Sequence, residues 1–207
     1  EIKKSKKAVF VEVTPHHLFL SEEDAGRLGM LCHVRPKLNT KADQEALWKA
    51  ISSGLVDTIA TDHAPHLKEE KMANETYGFP GLETALPVLL NAVNEGKLTL
   101  QKVIELTSRN PAKIFGIKSK GELKEGYDAD LTIIDMELEK EIKAVDLATK
   151  CAWSPFEGKV LKGHPIATFV GGTPAYSEGK FFPLTGREVT INPHRSQSQK
   201  QEEINHG

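Results

Sequence analysis

With 207 residues, 39% hydrophobic and 27% charged, the chain has the composition of an ordinary globular protein, with room for one large domain or one and a fraction. Its formal net charge of -2, from 27 basic and 29 acidic side chains, gives no footing for nucleic acid or an anionic membrane surface. No stretch approaches the roughly 20 apolar residues of a membrane span, and the opening residues do not read as a signal peptide. Cys32 and Cys151 form no C-x-x-C pattern, so a reducing, cytoplasmic setting without a disulfide framework is expected.

Residues 1–7, Glu-Ile-Lys-Lys-Ser-Lys-Lys, read either as a solvated basic arm or as the last turns of a helix that begins upstream. A strand is expected over residues 8–13, followed by Thr14-Pro15-His16-His17. If the strand runs on, the adjacent histidines point to opposite faces and at most one reaches a site. Ser21, with an acid three residues later, opens a short helix ending near Gly29. Residues 30–39 read as irregular and carry His33, Arg35 and Lys37. Thr40 and Asp43 form a capping-box pattern for a helix whose Ala46, Leu47, Ala50 and Ile51 share one face.

The β-branched run Val56, Thr58, Ile59 marks a mostly buried strand, and strand–helix–strand succession favours a parallel sheet in an α/β fold. Residues 67–80 are polar and read as a long loop over a site. A Leu- and Ala-rich helix is expected over 81–94, kinked or started by Pro87, then a helix capped by Thr99 running to Ser108, and a short last one at Asn110-Pro111. From about residue 121 the character turns β-rich: a strand over 131–135, then two strands around Gly171-Gly172. The tail from 192 has no apolar face and is expected to be disordered. Trp48 and Trp153 suit core anchors.

Three groups can carry chemistry: Glu12 with His16 and His17, His33 with Arg35 and Lys37, and Asp62 with His63 and His66. Each follows or ends an expected strand, so in a barrel they would converge on one rim. There Asp62 can ligate a divalent metal and take a proton from the water it activates, while Arg35 offers a planar fork to a substrate carboxylate. The plainer readings are a turn or helix-cap aspartate and solvated loop residues. No Gly-x-Ser-x-Gly elbow, no cysteine with a suitable neighbour and no phosphate loop compete with this chemistry.

Thr61-Asp62-His63-Ala64-Pro65-His66, with Glu12-Val13-Thr14-Pro15-His16-His17-Leu18 upstream and Gly78-Phe79-Pro80-Gly81-Leu82-Glu83-Thr84 downstream, closely resembles the dihydroorotases of the amidohydrolase superfamily. Val34-Arg35-Pro36-Lys37-Leu38 resembles the dihydroorotase domain of the animal multifunctional pyrimidine enzyme, and Ser154-Pro155-Phe156-Glu157-Gly158 points the same way. The resemblance implies the C-terminal part of a (β/α)8 TIM barrel over 1–120, a small β-rich domain over 121–191 and the tail from 192.

It implies Asp62 as a metal ligand and catalytic proton shuttle, with zinc as the metal. Arg35 and His66 would hold the substrate carboxylate, and backbone near Pro80 and Gly81 would contact the ring. Glu12 is implied at an extra metal position, and His17 as a neighbour supporting the ligands. The remaining ligands of the family, a His-x-His, a carboxylated lysine and two further histidines, have no counterpart here, so the chain alone is expected to be inactive. Homo-oligomerisation and association with aspartate carbamoyltransferase are also implied. The alternatives are another cyclic amidohydrolase (an allantoinase or hydantoinase), or a non-catalytic dihydroorotase-like subunit supporting aspartate carbamoyltransferase.

Overall fold

Two short parallel strands set the frame: β1 (Glu12–Val13) lies beside β2 (Thr58–Ile59), with Glu12 opposite Thr58 and Val13 opposite Ile59. The computed structural model describes residues 9–74 and 76–191; the expectations for 1–7 and for the tail from 192 fall outside them. The ladder is shorter than the apolar runs suggested, yet the backbone pairing extends past it. Asp57 N–H donates to Val11 O (2.8 Å) and Ala60 N–H to Val13 O (3.1 Å). The Asp57 carboxylate accepts from Val11 N–H (2.7 Å), so a side chain continues the pairing of the two segments.

Strand alternation sorts the faces. Val13 and Ile59 are buried with Leu18, Ile51, Leu89 and Val103 in a core between the strands and their covering helices. Glu12 points the other way, and its carboxylate accepts from Thr58 Oγ1 (3.3 Å).

Helix α1 (Pro15–Phe19) begins immediately after β1. His16 and His17 therefore lie on a helix, not on a continuing strand. Thr14 caps it and Pro15 occupies its first turn, where no backbone N–H is needed. The Ser21 region forms a 3-10 turn (Glu22–Asp24) running into α2 (Ala25–Leu28). Helix α3 (Lys41–Ser52) starts at the expected capping box: Asp43 N–H donates to Thr40 Oγ1 and Thr40 N–H to Asp43 Oδ2.

The expected loop over 67–80 contains helix α4 (Lys68–Asn74). Leu67 N–H donates to Glu70 Oε2 (2.9 Å), and Glu69 and Glu70 place negative charge at the helix N-terminus. Helix α5 (Ala85–Asn94) starts late enough that Pro87 falls in its first turn, where its missing donor costs no hydrogen bond. Helices α6 (Leu100–Ile104) and α7 (Asn110–Ile114) are one helical run joined by a π-turn over Glu105–Arg109, in which Asn110 N–H donates to Glu105 O. Pro111 cannot donate to the preceding turn, which gives a reason for the wider winding there.

The β-rich part is a four-stranded antiparallel sheet in the order β3 (Leu131–Glu141), β4 (Val160–Val170), β5 (Thr173–Ser177), β6 (Lys180–Phe181). Gly171 and Gly172, both at positive φ, make the β4–β5 turn as expected. Strand β3 runs past the expected end at 135, because irregular pairing between Asp135 and Glu139 lets the ladder resume. Gly163 of β4 lies against α5, where an added Cβ would meet Leu90 Cβ at 2.7 Å. A second core then spans the two parts, with Phe79 and Val88 packed with Ile142, Trp153, Phe156 and Leu161. Among the described residues no helix is long and apolar enough to cross a membrane.

Candidate active site

Asp62 stands where β2 ends, with φ at 46°. An L-residue enters this left-handed region at a cost, which Asp bears better than most. The exposed Asp62 side chain lines a cleft of about 620 Å³ together with Glu12, His17 and Arg35. The N-terminal turns of α3, including Thr40 and Asp43, form the far side of the cleft.

His17 sits in that cleft with both ring nitrogens engaged. Nε2 lies 3.0 Å from Pro36 O, which can only accept, so this nitrogen carries a proton. Nδ1 lies 2.6 Å from Thr14 Oγ1. The remaining ring lone pair, on Nδ1, is taken up by the Thr14 hydroxyl, and the ring ties the Arg35-Pro36 segment to the cap of α1. Arg35 is exposed, with its guanidinium carbon 4.0 Å from the centroid of the Tyr77 ring.

His63 had no role in the sequence reading, and here it acquires one. Its Nδ1 accepts from two successive backbone donors, Gly81 N–H (3.1 Å) and Leu82 N–H (3.2 Å). Ala64 N–H donates to Phe79 O (3.0 Å), so the segments after β2 and before α5 are laced together. Glycine at 78 is required for this approach: its φ is 131°, and a Cβ there would stand 2.5 Å from Ala64 O. Pro80 and His63 border a separate small pocket with Thr84 and Trp153. His66 is half-exposed, with Nδ1 3.9 Å from Glu70 Oε2 and its carbonyl accepting from Trp153 Nε1 (2.8 Å). Asp62, Arg35, Glu12 and His17 thus share one cleft, whereas His66, Pro80 and Gly81 lie on the adjoining segments and do not line it.

His16, next along α1, is buried against Phe79 (ring centroids 5.1 Å apart) with no hydrogen bond to Nε2. Burial pushes its imidazole down to about 3, and the neighbouring His17 adds to the effect. A base whose folded pKa is depressed binds fewer protons folded than unfolded. Its stability contribution is therefore complete above about 6.5 and is lost as the pH falls toward about 3. Urea midpoints measured across that window should fall less steeply for His16→Leu than for the parent protein. Equal slopes would remove His16 from the acid response.

The donor chemistry can be tested against a metal directly. Asp62 offers one carboxylate at a strand end, and Glu12 offers another that is already hydrogen-bonded to Thr58. Among the described residues no group of three or more His, Cys, Asp or Glu side chains is placed to hold an ion. These residues therefore do not constitute a metal centre by themselves.

The profile of the Amidohydrolase family matches residues 6–175. The chain belongs to that family. A curated dihydroorotase of Pyrococcus furiosus is 46% identical over 186 residues, covering 89% of this chain and 44% of the relative. A dihydroorotase of Halobacterium salinarum is 42% identical over 181 residues, covering 86% and 43%. The chain thus spans less than half the length of these curated relatives. Among solved structures, the L-hydantoinase (dihydropyrimidinase) of Arthrobacter aurescens superposes with a TM-score of 0.86 at 34% identity, covering 91% of this chain and 44% of that one. The inactive dihydroorotase-like domain of the Chaetomium thermophilum CAD-like multifunctional protein gives 0.63 at 28% identity, covering 89% and 49%. The α/β architecture and the β-rich sheet are therefore those of an amidohydrolase, as the strand-end motif implied.

Proposed function

We propose that this chain carries the proton-transfer and carboxylate-binding part of a dihydroorotase, which interconverts N-carbamoyl-L-aspartate and L-dihydroorotate in pyrimidine synthesis. The observation that carries the reading is the placement of a strand-end carboxylate, Asp62, and a guanidinium, Arg35, on one cleft. Identities of 42–46% to dihydroorotases support it. Residues 1–120 are read as barrel and 121–191 as the small β-rich domain. The reading also takes zinc as the metal, the cytoplasm as the compartment, and a homo-oligomer able to associate with aspartate carbamoyltransferase.

In ring opening, the amide carbonyl must be attacked by water and the ring nitrogen must leave with a proton. Asp62 is assigned to accept the proton that water loses and to return it to that nitrogen. Ring closure runs the same transfers in reverse. Bound zinc, as one ion or two, would supply the activated water and polarise the carbonyl, with Asp62 as one ligand and most of the others from outside the described residues. Arg35 contributes by binding: a guanidinium edge presents parallel N–H donors that match a carboxylate. His66 is assigned to the same carboxylate from the segment after β2. Backbone at Pro80 and Gly81, held by the His63 ring, is assigned to the pyrimidine.

The carboxylate separates this reading from a hydantoinase, whose ring substrates lack it. In the full-length protein containing this chain, Arg35→Ala should raise KM for dihydroorotate by about 10- to 100-fold, the worth of charge-assisted hydrogen bonds, with a smaller change in kcat. The parent protein should prefer dihydroorotate to hydantoin and allantoin in a substrate panel. Failure of the metal-replete protein to turn over dihydroorotate would overturn the proposal. If metal does not bind at all, the non-catalytic reading gains, as in the inactive dihydroorotase-like neighbour.

A further inference from the structure

Lys71 is fully buried, the rarest placement for a lysine. A charged amine taken out of water is costly unless its donors are satisfied. Two of its donors are: Nζ donates to His33 O and to Gly78 O, both at 2.7 Å. The faces of Phe79 and Trp153 lie 5.4 and 5.6 Å from Nζ and add favourable cation–π contact. Among the described residues no carboxylate pairs with it. A methionine of similar length would fill this core without the desolvation cost, so the contribution of the amine is geometric.

Its geometry joins two segments of the candidate site. His33 precedes Arg35 by two residues, and Gly78 follows Tyr77 directly. Gly78 N–H also donates to His33 O (3.0 Å), so three hydrogen bonds clamp these backbones at one point. Across the clamp the Tyr77 ring stacks on His33 (centroids 5.9 Å apart, planes 20° apart) and contacts the Arg35 guanidinium at 4.0 Å. A cation held over a ring meets it on one side and keeps N–H groups for a planar anion on the other.

We propose that Lys71 and Tyr77 are positioning residues for Arg35: the buried amine fixes the two backbones in register, and the tyrosine ring holds the guanidinium plane ready for a substrate carboxylate. The inference rests on the assignment of Arg35 to that carboxylate. A long side chain otherwise loses rotamer freedom when it binds, and a stacked one has already lost part of it. The anion selected is then one that reaches the guanidinium N–H groups left uncovered by the Tyr77 ring, which makes the pair a determinant of specificity for carboxylate-bearing rings.

The experiment is a double-mutant cycle in the full-length protein, read as KM and kcat for dihydroorotate. Tyr77→Leu should raise KM by about 3- to 10-fold, in keeping with a partly desolvated cation–π contact, with kcat changed by less than about 2-fold. Tyr77→Phe, which keeps the ring, should restore the parent KM. In the Arg35→Ala background Tyr77→Leu should have no further effect. Lys71→Met, which keeps length and apolar packing, should raise KM by about 10-fold. Because loss of a buried group can also impair folding, the Tyr77 variants decide the case through an exposed side chain. If Arg35→Ala raises KM while Tyr77→Leu does not, or the two effects add independently, the positioning role is wrong and the carboxylate assignment stands. If Arg35→Ala leaves KM unchanged, the carboxylate assignment itself has failed, and this inference with it.

Discussion

Asp62→Asn in the full-length protein is expected to lower kcat for dihydroorotate by about 10²- to 10⁴-fold, the usual contribution of a positioned proton-transfer group. Asparagine is the informative replacement because of the backbone. At φ 46° the residue occupies the left-handed region, where Asn and Asp are both tolerated and most side chains are strained. Asp62→Ala should also abolish turnover, but it would add a backbone penalty of about 1 kcal/mol and blur the cause. Metal content measured beside turnover separates the two duties assigned to the carboxylate. Retained metal with lost turnover isolates proton transfer, and a parallel loss of both assigns the defect to ligation. A variant keeping more than about a tenth of the parent rate would remove Asp62 from the chemistry altogether, since even the low end of general acid–base catalysis exceeds that.

The strain at Asp62 also explains how a short segment organises so much. Two residues on either side of it, chain direction is set by the Ala60–Val13 and Ala64–Phe79 hydrogen bonds. Between those anchors the turn has little freedom, which keeps Asp62 at the wall of the cleft. Conformational cost at a functional residue persists when its surroundings over-determine it. The His63 ring, Gly78 and Gly81 are those surroundings.

Some of this was legible in the sequence, and the physical reason differs by residue. Asp62 was readable because an apolar, β-branched run ending in a carboxylate is a local pattern. The caps at Thr40 and Thr99 are local as well, and each accepts the expected backbone hydrogen bond. Thr14-Pro15 carries a cap signal too, which a strand continued through the histidines overlooks. Helix α4 is hidden in the sequence because its Lys- and Glu-rich run shows no apolar stripe. What anchors it is Lys71, whose burial depends on the carbonyls of His33 and Gly78, the first of them 38 residues away. His63 was opaque for a similar reason: its partners lie 18 and 19 residues downstream, in a segment whose position only the folded chain defines. Arg35 reads as a solvated loop residue until Tyr77 is placed beside it. Positioning interactions in this site are non-local, and periodicity cannot report them.

The second large effect is expected at Trp153, a residue far from β2 in sequence and joined to the site by one hydrogen bond. Its side chain is completely buried, edge-on to Phe79 at 6.2 Å, within a core that also takes Ile142 and Leu161 from the β-rich part. Trp153→Ala should lower unfolding stability by about 3–5 kcal/mol, the range for deleting a large aromatic from a packed core. Urea titration followed by circular dichroism measures it. Trp153→Phe isolates the polar share: it keeps much of the packing but leaves His66 O without its indole donor, costing about 1–3 kcal/mol where that carbonyl is shielded from water. The two variants should also differ in their effect on KM. Losing the donor frees the His66 segment specifically, so Trp153→Phe should impair dihydroorotate binding out of proportion to its small stability loss. If KM instead tracks stability across both variants, Trp153 serves the core alone. The β-rich part would then support the fold without helping to hold the segment proposed to bind the carboxylate.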